Sequence, residues 1–159
     1  MKVFRGFSYD VPRGPCALTI GNFDGVHRGH MVLLAQLREA ADRLHLPAAV
    51  LTFSPHPRQY FAFQSNKSVT APATITPLRE KIQALSQCGV DQVTIAHFDH
   101  LTASLTAEQF IEQILVRALG VKWLIIGEKF RFGKGRLGTT DMLKDAGKKY
   151  GFHVEVLPA

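Results

Sequence analysis

Apolar and polar positions come in blocks whose period switches between two and about 3.6, so the chain reads as strand and helix in alternation. CALTI at Cys16–Ile20 is a first buried strand. Arg28–Leu44 follows as an amphipathic helix, with Leu34, Leu37, Ala41 and Leu44 along one stripe. Residues 48–53 form a second strand, and a long proline-containing loop runs over 54–76. Thr76 and Pro77 read as the cap and first position of the next helix, which stops at Gly89. Residues 90–96 are a third strand. Thr106 and Gln109 match a capping box, opening a helix that ends near Gly120. Residues 121–126 are a fourth strand, apolar apart from Lys122, as suits a central parallel position. Thr140–Tyr150 is a helix closed by Gly151, and residues 152–157 are a fifth strand. Repeated βα units of this kind predict an α/β fold: a Rossmann-like, open, parallel, five-stranded sheet with helices on both faces.

In such sheets ligands bind beyond the carboxyl ends of the strands, where the strand order reverses. The loops after the first, second and fourth strands, at 21–27, 54–64 and 127–138, are also the most unusual in composition. The first carries the sharpest motif, GNFDGVHRGH at 21–30. A strand runs into a glycine-punctuated turn, and the turn opens a helix. The first N–H groups of a helix lack intrahelical partners and its dipole is positive at that end, so a phosphate is the ligand such a site suits. Gly21, Gly25 and Gly29 admit a bulky phosphate chain close to the backbone. His27 and His30, three apart, share one face of the first helical turn.

Rival chemistries fit less well. The segment lacks GxGxxG, and Thr52-Phe53 stands where a dinucleotide fold places an acidic residue; no GK[ST] marks a Walker loop. What remains is HxGH, His27-Arg28-Gly29-His30. A zinc site would need a third ligand and usually HExxH spacing. His97 and His100, the other spaced pair, read as surface loop, and no metal ligands are assigned. No GxSxG or activated-cysteine pattern is present.

Two loops offer walls for a flat ligand. Ser54-Pro55-His56-Pro57 is stiffened by its prolines; it is either a rigid turn leading Tyr60, Phe61 and Phe63 into the core or one side of a binding slot. GEKFRFGKGRLG at 127–138 mixes aromatic, basic and glycine residues. Arg131 and Arg136 there can pair with phosphate, while Phe130 or Phe132 can anchor the loop in the core.

Composition narrows the class further. At 159 residues, 46% of them apolar, the chain is sized for one folded domain. A net charge of +6 suits an anionic partner, but no block of like charges reads as a nucleic-acid arm, so no nucleic acid is expected. Cys16 and Cys88 form no CxxC pair and read as reduced thiols of a cytoplasmic protein. No stretch has the length of a membrane span, and no membrane partner is expected.

Taken together, TIGNFDGVHRGH at 19–30, TFSPHP at 52–57, LREKI at 78–82, IGEKFRFGKGRLG at 126–138 and AGKKYGF at 146–152 resemble the FMN adenylyltransferase (FAD synthetase) module of the bacterial bifunctional riboflavin kinase/FMN adenylyltransferase family. The resemblance spans essentially the whole chain, whereas HxGH alone would indicate only the wider nucleotidyltransferase superfamily. It implies adenylyl transfer from ATP, with Mg²⁺, to FMN, giving FAD and pyrophosphate. It further implies His27 and His30 as catalytic residues, and Gly21, Asn22, Phe23, Asp24, Gly25, His27, Gly29 and His30 as the ATP-binding segment. Phe53, Ser54, Pro55, His56, Pro57, Lys129, Phe130, Arg131, Phe132 and Gly133 would form the flavin-side loops. Two departures stand out. Lys129 occupies a position that is commonly Asp or Asn in the family. The family's SSTR-type motif is expected after the strand ending near Leu157, so the chain reads as the first part of the enzyme, truncated before that motif and without the covalently linked riboflavin kinase domain. The alternatives are an adenylyltransferase for another phosphorylated cofactor precursor, or a nucleotide- or flavin-binding piece without turnover.

Overall fold

The structure is a computed structural model that describes residues 1–7, 13–24, 28–55 and 77–158. Its centre is one parallel sheet in the order β1-β4-β3-β2-β5-β6. The strands are β1 (Lys2–Arg5), β2 (Cys16–Ile20), β3 (Ala48–Ser54), β4 (Gln92–His97), β5 (Val121–Gly127) and β6 (His153–Leu157). The parallel sheet with flanking helices is the expected one, with a sixth strand added at the edge beside β4, where Val3 pairs with Val93. Sequence reasoning missed β1 because it shows little of a buried pattern: Lys2, Val3 and Arg5 are exposed and only Phe4 is half-covered. Arg13 fastens this edge. Its guanidinium lies 3.9 Å from the Phe4 ring centre, donates to the Gly6 carbonyl oxygen at 3.1 Å and bonds the Thr94 hydroxyl.

All five residues of β2 are buried, and alternate side chains enter opposite layers. Cys16, Leu18 and Ile20 join Leu51, Leu124 and Ile126 in one core. The helix facing it starts at α4 (Ala107–Gln109) and continues as a π-helix over Phe110–Ala118; α5 (Thr140–Tyr150) lies beside it. Ala17 joins Val50, Val93, Trp123 and Ile125 in the second core, covered by α1 (Arg28–Leu44) and α2 (Leu78–Gln87). The stripe on α1 is Leu33, Leu34, Leu37, Ala40 and Ala41; Leu44 is exposed, because the helix has by then passed the edge of the sheet it covers. Burial also explains Cys16, whose thiol donates to the Leu119 carbonyl oxygen and is pushed up to about 12 by desolvation.

The predicted ends hold where a side chain or a glycine terminates the helix. Thr106 and Gln109 make both bonds of the capping box, and Gly151, in the left-handed region at φ 84°, closes α5. The start of α2 differs. Pro77 occupies the N-cap position rather than the first helical one, with ψ 145°. Thr76, like Tyr60, Phe61 and Phe63, lies outside the described residues.

Arg38 of α1 joins three elements at one corner. It bonds Asp42 on its own helix, the Gly89 carbonyl oxygen and Asp91, and Asp91 in turn accepts the Ala48 N–H at 2.9 Å. Burial raises the Asp91 carboxyl pKa, but the bonds from Ala48 and Arg38 outweigh it and hold the group below the usual aspartate range. A depressed folded pKa means that the unfolded chain binds the proton more readily. The stabilisation is therefore present above the unfolded value of about 3.9 and lost as pH falls through the folded one. Melting temperature should drop as pH falls below about 4. Asp91→Asn should melt lower than the parent at pH 7 and approach it at pH 2.5; a constant gap across the titration would remove Asp91 from the linkage.

Gly147 supplies a second test. Glycine inside a helix normally costs about 1 kcal/mol relative to alanine. Here a Cβ would sit 2.4 Å from the Phe152 carbonyl oxygen, so α5 could not stay seated against the start of β6. Gly147→Ala should therefore destabilise, by about 1 kcal/mol or more in chemical denaturation, where helix propensity alone predicts a gain.

Candidate active site

Strand order reverses at β2: the chain builds β3 and β4 on one side of it, then crosses to build β5 and β6 on the other. Parallel pairing brings the ends of β2 and β5 side by side, with Thr19 opposite Ile125. The Thr19 hydroxyl donates to the Ile125 carbonyl oxygen at 2.7 Å within this pair. The turns leaving the two strands must diverge to reach helices on opposite faces, and a crevice is left between them.

The turn after β2 begins with Gly21, whose N–H donates to the Leu51 carbonyl oxygen at 3.1 Å. Phe23 comes next in the left-handed region at φ 53°, with its ring 3% exposed. That conformation costs a non-glycine residue on the order of 1–3 kcal/mol, and burial of the aromatic ring is what holds it. Gly21 has a packing reason here, since a Cβ would come within 3.0 Å of the Phe23 ring. With its side chain in the core, Phe23 has only its backbone to offer a ligand. His30 lies in the first turn of α1, its ring 5.1 Å from that of Phe23 and tilted by 54°. The buried phenyl ring thus props the imidazole at the helix entrance. Asn22 Oδ1 is buried without a hydrogen-bond partner among the described residues, which marks the turn as polar inside. Gly25 and His27 lie outside the described residues, as do His56 and Pro57.

Beyond this turn opens a cavity of about 770 Å³. It touches Gly21 and Asn22 at one end, Phe53 and Phe98 at the tips of β3 and β4, and Lys129, Phe130, Arg131, Phe132 and Gly133 on the loop after β5. The volume falls in the range of small-molecule sites. Its walls are largely aromatic. Phe53 and Phe98 meet edge to face at 5.8 Å, while Phe130 and Phe132 stack at 5.6 Å with planes 16° apart. Phe132 also packs on Phe110 at 5.3 Å. The β5 loop is therefore both core anchor and cavity wall: Phe132 is buried, Phe130 half-buried, and the cationic side chains between and around them reach solvent. Gly133, at φ 77°, lets this loop lie against α4, where a Cβ would meet the Ala107 backbone at 2.8 Å.

The cations differ in direction. Arg131 folds back on its own loop, donating to the Phe130 carbonyl oxygen at 2.8 Å. Lys129 and Arg136 are exposed and line the cavity. Ser54 ends β3 and Pro55 follows it; both are half-buried, and neither lines the cavity that Phe53 touches.

Phe98, Thr102, Ala103 and Phe110 line the same cavity and were not singled out in the sequence. The segment read there as surface loop is the end of β4 and a short helix, α3 (His100–Ser104), capped by Asp99 through the Thr102 N–H. His97 and His100 are exposed on either side of Phe98, which turns inward. The signal was available, because Phe98 follows a strand at the same carboxyl edge that flagged the other three loops.

Comparison with known proteins gives the family. A profile of the FAD synthetase family matches residues 11–159. The chain belongs to the FAD synthetase family. It is 47% identical over 156 residues to the bifunctional riboflavin kinase/FMN adenylyltransferase of Escherichia coli strain K12, covering 97% of this chain and 48% of that protein. The bifunctional enzyme of Haemophilus influenzae is 51% identical over 157 residues, covering 98% and 49%. The chain thus spans about half the length of the curated relatives it matches. Among solved structures, one described as a macrolide-efflux protein from Streptococcus pneumoniae superposes with a TM-score of 0.79 at 24% identity, over 99% of this chain and 52% of that one; the likeness concerns the fold. Among the described residues, no helix is long and apolar enough to cross a membrane.

Proposed function

We propose that this chain is the adenylyltransferase module of its family, joining the phosphate of FMN to the adenylyl group of ATP to give FAD and pyrophosphate. The observation that carries the reading is the cavity at the strand-order reversal, walled by five phenylalanines and lined at the glycine turn by Gly21 and Asn22, the turn that leads into α1. The relatives' names pair this activity with a riboflavin kinase, and FMN is what a riboflavin kinase makes.

The isoalloxazine, flat and largely apolar, fits between the Phe53–Phe98 pair and the Phe130–Phe132 stack, and the segment that begins at Ser54 and Pro55 follows Phe53 in the chain. The FMN phosphate then points toward the turn at 21–24. ATP, entering as its Mg²⁺ complex, places its phosphates at the α1 entrance, against Gly21, Asn22, the Phe23 backbone, Asp24, Gly25 and Gly29. A phosphate oxygen of FMN attacks the α-phosphorus in line, the bond to the bridging oxygen breaks, and pyrophosphate leaves. No covalent enzyme intermediate is needed, so catalysis is alignment and charge stabilisation. His27 and His30 donate to phosphate oxygens that gain charge as the leaving group departs. The Phe23 ring supports this role for His30, since it limits where the imidazole can turn.

The reading is tested by measuring FAD formation from FMN and Mg·ATP. His27→Ala and His30→Ala should each lower turnover on the order of 10²-fold, with FMN affinity little changed and the melting temperature near that of the parent. Near-normal turnover in either variant would remove the role given to that histidine.

Lys129 sets a second expectation. It is exposed at the cavity rim, at a position where the family resemblance implies Asp or Asn, so its ammonium competes with other cations for the substrates' phosphates. Lys129→Asp should change the KM for FMN or for Mg·ATP by about 3-fold or more, in the favourable direction. Unchanged constants would place the ammonium in solvent throughout the cycle.

A further inference from the structure

Lys81 is the unusual side chain of α2. It is only 3% exposed, while its neighbour Ile82 is half-exposed. One turn further on, Leu85 is fully buried, so the helix presents an ammonium where its apolar stripe would place a methyl group. Burying a cation is costly unless it is paired. The Lys81 Nζ lies 3.9 Å from Asp24 Oδ1 and donates to the Thr52 hydroxyl at 3.5 Å. The Thr52 hydroxyl, fully buried, donates in turn to the Asn22 carbonyl oxygen at 3.4 Å. One buried ammonium therefore touches both ends of the turn after β2, Asp24 directly and Asn22 through Thr52 at the end of β3. Desolvation pulls its pKa below the ordinary lysine value and the Asp24 charge pulls it back up, as expected of a cation held in place by that carboxylate.

We propose that Lys81 is a positioning residue for the transfer reaction: its ammonium clamps the turn at 21–24, with Phe23 in its left-handed conformation, so that the backbone meeting the phosphates is ordered before substrate arrives. The kinetic part rests on the adenylyltransferase reading; the clamp itself is a property of the ligand-free chain. A side chain that merely filled space would be replaced by methionine with little effect on the turn. A clamp acts differently, because without the charge Asp24 and Asn22 lose a shared anchor and the strained turn relaxes.

The test uses this chain with Lys81→Met, Asp24→Asn and the double variant, read by amide hydrogen exchange without ligand and by the kinetics of FAD formation. In Lys81→Met, exchange over 21–24 should rise about 10-fold or more, while the interior of β2 and β5 stays protected. Turnover should fall about 10-fold or more, with the KM for FMN little changed. The double variant should be no worse than the more impaired single one, because both remove the same contact. Unchanged exchange over 21–24, or losses that simply add, would overturn the clamp. If Lys81→Met does not fold, Thr52→Val cuts the branch to Asn22 alone, and the same rise at Asn22, or its absence, decides. If the parent chain makes no FAD, the adenylyltransferase reading fails for this chain by itself, and the exchange measurements still decide whether the clamp exists.

Discussion

β2 is hydrogen-bonded to β3 along one edge and to β5 along the other, and the chain leaves those two neighbours in opposite directions. A strand in that position has no solvent-facing side, and its five residues are accordingly buried to the last. Its carboxyl end has to be a crevice, because the connections that would cover it depart toward different faces of the sheet. The cavity, the glycine turn and the entrance of α1 all sit at that end. Their mutual placement follows from the pairing of three strands rather than from any contact between the loops themselves.

The same place is where the molecule departs from local preference. Phe23 takes a left-handed backbone, Asn22 buries an amide oxygen, and Lys81 brings an ammonium under cover. Each is unfavourable by itself. They are tolerated because two well-filled cores, one on each face, hold β2, β3 and α2 in a fixed relation, leaving the turn little freedom to relax. Several local conflicts gathered at one turn beside a cavity are what a site under functional constraint looks like.

The aromatic walls show a related economy. Phe132 belongs at once to the core beneath α4 and to the surface of the cavity, and its neighbour Phe130 stacks on it. A loop anchored through such a residue is more rigid than one held by its ends alone, which is what a slot for a flat ring requires. Lys129, Arg131 and Arg136 of the same loop line the cavity while staying exposed, so their charges are not desolvated.

How much of this was legible beforehand depends on whether the deciding force is local. β2, the full extent of α1, the capping box at Thr106 and the glycine stop at Gly151 were all readable, because each rests on a period or a bond spanning a few residues. So was the entrance of α1 at Arg28 after the turn that leaves β2, since it too rests on a local pattern. β1 was not readable: an edge strand half-open to water shows no apolar period, and only Val93 and its neighbours across the sheet make it a strand. Leu44 fits the α1 stripe but faces solvent, because the sheet ends before the helix does. Phe98 looked like part of a polar loop until β4 and α3 turned it into the cavity. The role of Lys81 was equally hidden, for a lysine in an amphipathic helix is ordinarily a solvated one. Its burial comes from Asp24 and Thr52, which lie 57 and 29 residues away in the chain and meet it only when β3 and the β2 turn are packed against α2. Sequence by itself determined the buried strands, the helices and the residues of the first turn; the tertiary structure alone decided the edge strand and which distant side chains share that turn, because burial and pairing depend on neighbours in space.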